Sequence, residues 1–284
     1  MKKIIRFTTL CIAFAALLQT AFAQTAQRFE NINCINVNNV LCKVYDLQVL
    51  NTNTGNGMQY NVSFNIFINQ GTTFKETLAA IIEIDNNLQK NTLLLNKYVR
   101  VDQDNDPTKI NEQWTYKNIV VDEILLPALD ASTTRQTAVL KIKFHTNQAS
   151  ALYNVTNDVK LNSFVNKETA SLTSFFGFKL DDLPVKLISK LSSINLCKAV
   201  PKNFTVTLSA RDITLWNEAM MANPTRLLKA GRIIFYAPNL RDELFVIKIY
   251  DVKITSSVNI NAATNQIQRY EVGLLADRIS TVTK

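Results

Sequence analysis

Asn203-Phe-Thr-Val-Thr-Leu-Ser-Ala210 alternates apolar and polar residues, and Arg211-Asp212-Ile-Thr-Leu-Trp-Asn-Glu-Ala-Met-Met-Ala222 follows it directly. The octet has the period of a half-buried strand. Asp212 is placed to cap a helix, because a carboxylate there accepts the orphan N–H groups of the first turn and sits at the positive end of the dipole. Ile213, Trp216 and Met220 fall on one face of that helix, and Asn223-Pro224 ends it. After Gly231, residues 232–236, 243–254 and 267–276 return to strand patterns. A single helix among strands predicts a closed or nearly closed β-barrel with the helix laid on its outside or end.

The same order stands upstream. Met58, Tyr60, Val62, Phe64, Ile66 and Ile68 alternate with polar residues without a break, which makes 58–68 the cleanest strand in the chain. Thr73-Phe-Lys-Glu76 reads as a capping box, with Phe74, Leu78, Ile81 and Ile82 forming the apolar face of the helix behind it. Strand patterns return at 93–101, 113–126 and 137–144. Thr73 lies 139 positions before Asp212 and Tyr116 lies 133 before Ile249, a difference that a longer loop at 102–107 accounts for. The expectation is an internal duplication. The fold is mainly β, two tandem β-barrel domains each with one short helix: the first over 42–150, a linker over 151–167, and the second over 168–284.

Residues 1–23 stand apart. Lys2, Lys3 and Arg6 precede an apolar run over 7–18, and Ala21-Phe22-Ala23 forms a small-residue cleavage site, the pattern of a secretory signal peptide. The run is short for a membrane span, so no transmembrane segment is expected after cleavage, and the protein is expected in the periplasm, outside the cell or at its surface. Residues 24–41 are Asn-rich and weakly patterned and read as a lead-in segment. Removing the three leader cations from a net charge of +8 leaves +5, without a basic run, which argues against nucleic acid as a partner. In an exporting compartment Cys34 and Cys42 are candidates for a disulfide closing a small loop, with Cys197 left over.

Chemistry-bearing patterns are sparse. His145 is the one histidine, so no two-histidine metal site exists and no motif supplies it with a nucleophile; no catalytic residue is assigned. Asp102, Asp104 and Asp106 alternate in a loop as hard-cation ligands do, which makes calcium the one cofactor to consider. Pro107 stands where such loops want glycine, and a solvated acidic hairpin tip is the simpler reading of the same three carboxylates. Asn61, Asn154 and Asn203 carry glycosylation sequons. Phe175-Phe-Gly-Phe178 reads as a core plug, beside a helix expected from Asp181-Asp-Leu-Pro184 onward with Leu183, Leu187, Leu191 and Ile194 on one face.

The second copy resembles the haemolysin-coregulated protein (Hcp) and phage tail-tube family. Residues 211–222 are similar to that family's strand-to-helix segment. Phe245-Val-Ile-Lys-Ile-Tyr-Asp-Val-Lys-Ile-Thr-Ser-Ser-Val258 resembles its long strand, and Gln268-Arg-Tyr-Glu-Val-Gly-Leu-Leu275 its last one. The resemblance covers roughly 75 residues of this chain, 203–277, with a fainter echo from Tyr60 to Phe144. It implies tail-tube-like barrels that assemble into rings, sixfold in the family, stacked as tubes and devoid of catalytic residues. Two tandem copies would let three chains present six domains. The chain departs from the family in carrying a leader and in lacking the usual glycine-containing N-terminal segment. The resulting expectation is an exported, non-enzymatic structural protein acting by self-assembly or as a hub of a secretion apparatus, with its own copies or other protein subunits as partners. The alternative is a monomeric periplasmic or surface β-domain that binds a ligand or a protein.

Overall fold

The structure is a computed structural model that describes residues 29–38, 40–55, 57–69, 71–86, 92–101, 109–155, 170–181, 183–185, 188–222, 228–260 and 268–282. It is mostly β, two curled antiparallel sheets with two short helices. The leader at 1–23 and the aspartates 102, 104 and 106 lie outside the described residues.

The first half contributes β1 (Phe29–Val37), β2 (Val40–Thr54), β3 (Gly57–Phe67), α1 (Thr72–Asn86), β4 (Thr92–Val101), β5 (Lys109–Lys117), β6 (Val120–Leu126), β7 (Leu129–Asp130), β8 (Val139–Thr146) and β9 (Gln148–Val155). The second contributes β10 (Phe176–Leu180), β11 (Lys190–Leu191), β12 (Ile194–Asn195), β13 (Lys202–Ser209), α2 (Ile213–Ala222), β14 (Leu228–Tyr236), β15 (Glu243–Asn259) and β16 (Arg269–Val282).

The first sheet runs β12-β6-β8-β3-β2-β1-β4-β5-β9. β8 and β9 stand far apart in that order, yet only Asn147 separates them in the chain, so the sheet has to curl until its two sides meet. Aromatic contacts across the interior follow: Tyr116 on β5 meets Phe144 on β8 at 5.5 Å, and Tyr60 on β3 meets Trp114 on β5 at 6.1 Å. The alternating residues of 58–68 do what their pattern demands, with Val62, Phe64 and Ile66 buried on the inner face.

The second sheet runs β10-β14-β15-β16-β13-β11-β7. Its pairing repeats that of the first. β1–β4, β2–β3, β4–β5, β5–β9 and β3–β8 correspond to β10–β14, β11–β13, β14–β15, β15–β16 and β13–β16, with a helix between β3 and β4 and again between β13 and β14. The bent β8–β9 run thus takes the place of the continuous β16. One pairing differs: β1 pairs with β2, whereas β10 and β11 do not pair, which leaves the second sheet open at that point.

The two halves are interlocked. β7 leaves the first half to pair with β11, and β12 leaves the second to pair with β6. Ser171 donates its N–H to Ile68 O and its hydroxyl to Tyr236 O, bridging both sheets. Phe74 of α1 packs edge-on to Phe245 of β15 at 5.2 Å, and the buried residues of both halves form one continuous cluster.

Several expectations are corrected. Residues 29–37 of the presumed lead-in form β1, between β2 and β4 in the first sheet. Residues 151–155 of the presumed linker finish β9. The helix expected over 183–194 is absent among the described residues there: Lys190–Leu191 and Ile194–Asn195 are short strands, each held by a partner from the first half. α1 starts at Thr72, ahead of the expected cap at Thr73, and Asn69 Oδ1 fixes the entry by accepting the Gly71 N–H at 2.8 Å. α2 starts at Ile213, directly after Asp212, and Trp216 is buried with its Nε1–H donated to Pro184 O at 2.9 Å.

The expected Cys34–Cys42 disulfide is not formed; both are buried thiols. The register explains it. Cys34 lies opposite Lys43 and Cys42 opposite Ile35, and directly opposed residues share a face while neighbours along a strand do not. The two sulfurs therefore point to opposite sides of the ladder.

Candidate binding cleft

Three short stretches meet where the two halves join. The last turn of α1 supplies Ile82, Asp85 and Asn86. The loop between β12 and β13 supplies Leu196 and Lys198, the first residue of β13 supplies Lys202, and the end of β16 supplies residues 277–281. They enclose a cleft of about 370 Å³.

The β12–β13 loop is shaped by its own lysine. Lys202 is only 8 % exposed, and its ammonium donates to Cys197 O and, at 2.8 Å, to Val200 O, so the loop wraps around the charge it buries. Burial lowers the Lys202 pKa, with Cys197 and then Asp85 working against that fall. Cys197 is no nucleophile here. Burial above all, with Asp85 adding to it, pushes its thiol up to about 12. Asp85 Oδ2 accepts the Lys198 N–H at 2.5 Å and ties the loop to α1.

Pro201 sets the other boundary. It has no N–H to give, and the β13–β16 ladder starts one residue later, at Lys202 opposite Ala276. β16 continues to Val282, paired on its other side with β15 through Val246 opposite Val282. From 277 onward, no described residue pairs with the side of β16 that faces the cleft. Among the described residues the wall of the cleft is therefore an unpaired strand edge. Ile82, Leu196 and Ile279 make an apolar patch beside it, and Lys198 and Arg278 line the cleft together with Asp85 and Asp277, the Lys202 ammonium being held by its two carbonyls.

His145 lies elsewhere, on the outer face of β8. Its Nδ1 is 2.8 Å from Asp122 Oδ1, and Asp122 occupies the β-bulge between Val121 and Glu123 that turns it toward the ring. Sequence reasoning did not couple these two residues, since nothing in a strand pattern marks a bulge. The ring has an orienting carboxylate, and among the described residues its other nitrogen contacts no hydroxyl or thiol. Asn61 is half-buried in β3, with its Nδ2 donated to Thr52 Oγ1, and Asn203 is exposed in β13. Phe178 is a core residue on β10, and the half-buried Phe176 packs against the core cluster.

No protein-family model matches this sequence, and no curated protein matches it significantly.

Proposed function

We propose that this chain is an exported, non-enzymatic structural protein that works by self-assembly, with its two barrel-like halves arising from an internal duplication. The observation that carries the reading is β9. Gln148-Ala-Ser-Ala-Leu-Tyr-Asn-Val155 holds no charge and no proline, and it pairs only with β5 among the described strands. Leu152 and Tyr153 stand 57 % and 67 % exposed on its two faces. Edge strands of monomeric proteins are commonly blunted by lysine, proline or a bulge, because an open edge recruits another strand. β9 has none of these and is suited to a neighbouring subunit. The repeated pairing pattern and the resemblance to tube-forming proteins support the same reading. Sedimentation velocity of the chain from Gln24 onward tests it: assemblies growing with concentration are expected, and a monomer throughout would overturn it.

The cleft at the end of β16 favours a second reading, a monomeric module that captures a ligand or protein. That reading requires a monomer with a saturable ligand in the cleft.

A further inference from the structure

We propose that the cleft between α1, the β12–β13 loop and β16 binds an extended, acidic segment of a partner polypeptide, which adds as a strand to the free edge of β16. Three independent observations converge on it. Among the described residues the edge over 277–281 is unpaired on the cleft side, while its other side is fixed by β15. A groove of about 370 Å³ follows that edge, and five strand residues at roughly 3.4 Å each would run its length. Arg278 and Lys198 have no ion-pair partner among the described residues, whereas Asp85 already accepts a backbone N–H.

The chemistry of the occupant follows from the wall. A strand laid against this edge exchanges main-chain hydrogen bonds for affinity and uses alternate side chains for choice. The residue opposite Arg278 gains from a carboxylate, as cross-strand pairs of opposite charge do. The residue opposite Ile279 meets Ile82 and Leu196 and gains from being apolar. Arg278 stacks its guanidinium 4.5 Å above the ring of Tyr250, its neighbour on β15. Lys202 keeps the floor rigid, because both carbonyls it holds belong to the loop that leads into β13. The proposal is independent of self-assembly through β9, which lies in the first half.

The probe is a fluorescein-labelled peptide of sequence Thr-Val-Glu-Val-Thr with blocked ends, followed by fluorescence anisotropy on the chain from Gln24 onward. Saturable binding is expected. Methylating one of two adjacent backbone nitrogens of the peptide should abolish it while methylating the other changes affinity less than twofold, the signature of strand addition. Arg278→Glu should weaken binding at least tenfold, and a peptide with Lys in place of Glu should recover it. Hydrogen exchange over 277–281 should slow when the peptide is bound, a readout that does not depend on any variant folding. No binding, equal sensitivity to both methylations, or unchanged exchange over 277–281 would each overturn the proposal. So would protection of 277–281 that grows with protein concentration in the absence of peptide, since the occupant would then be a second copy of the chain.

Discussion

Asp130 Oδ2 lies 2.8 Å from Lys190 Nζ, and this pair fastens β7, a strand sent out by the first half, onto β11 of the second sheet. Ser132 completes the arrangement by donating its N–H at 2.8 Å and its hydroxyl at 2.6 Å to Asp130 Oδ1. Burial alone would raise the Asp130 pKa; the hydrogen bonds from Lys190 and Ser132, with the lysine charge, outweigh it and bring the carboxyl from 3.8 to about 2. A folded pKa below the unfolded one contributes stability that is complete above the unfolded value and lost as pH falls through the folded one. Stability should therefore drop between about pH 4 and pH 2. Asp130→Asn should remove about 1 kcal/mol of stability at pH 7, a figure reduced for the exposed lysine partner, and flatten that part of the profile in urea titrations.

Phe74 joins the halves from the other side. It is buried, belongs to α1 and meets Phe245 of β15 edge-on. Phe74→Ala should cost about 3–5 kcal/mol. Because one core spans both sheets, calorimetry on the parent protein should give one cooperative transition; two separated transitions would mean that the halves fold independently.

The cysteines supply a redox prediction. Burial, with Cys42 nearby, pushes the Cys34 thiol up to about 12, and burial does the same at Cys197. Reductant should leave the melting temperature unchanged. An aromatic disulfide reagent should react slowly with the native chain and titrate three thiols from Gln24 onward after denaturation. A rise of only one thiol in denaturant without reductant would show a disulfide after all.

How much of this was legible beforehand depended on whether one face or two was buried. Val62, Phe64 and Ile66 point inward from a strand with a polar outer face, so the alternation of 58–68 declared it. β1 was missed for the opposite reason. Ile32 and Cys34 are buried on one side and Ile35 and Val37 on the other, which leaves no period of two among its asparagines. The false helix over 183–194 arose from apolar spacing that the chain uses differently: Leu191 and Ile194 are buried in two-residue strands whose partners, Leu129 and Leu126, lie more than sixty residues upstream. Such pairings leave no local trace. The cleft was illegible on the same grounds, being assembled from 82–86, 196–202 and 277–281, and only Pro201 hints that a ladder stops there.

β9 can be tested by charge. Leu152→Lys together with Tyr153→Lys places two cations on an exposed strand edge, so melting temperature should stay within about 2 °C of the parent, as for surface changes of under about 0.5 kcal/mol. Assembly should be lost. A large fall in stability instead would mean that these side chains are buried within the single chain.

The central claim is that the chain acts by assembling, and sedimentation velocity over a hundredfold range of concentration, with negative-stain images of the same samples, tests it most directly. Rings or tubes are expected for the parent and a monomer for the Leu152→Lys, Tyr153→Lys double variant. A parent protein that stays monomeric at every concentration would contradict it.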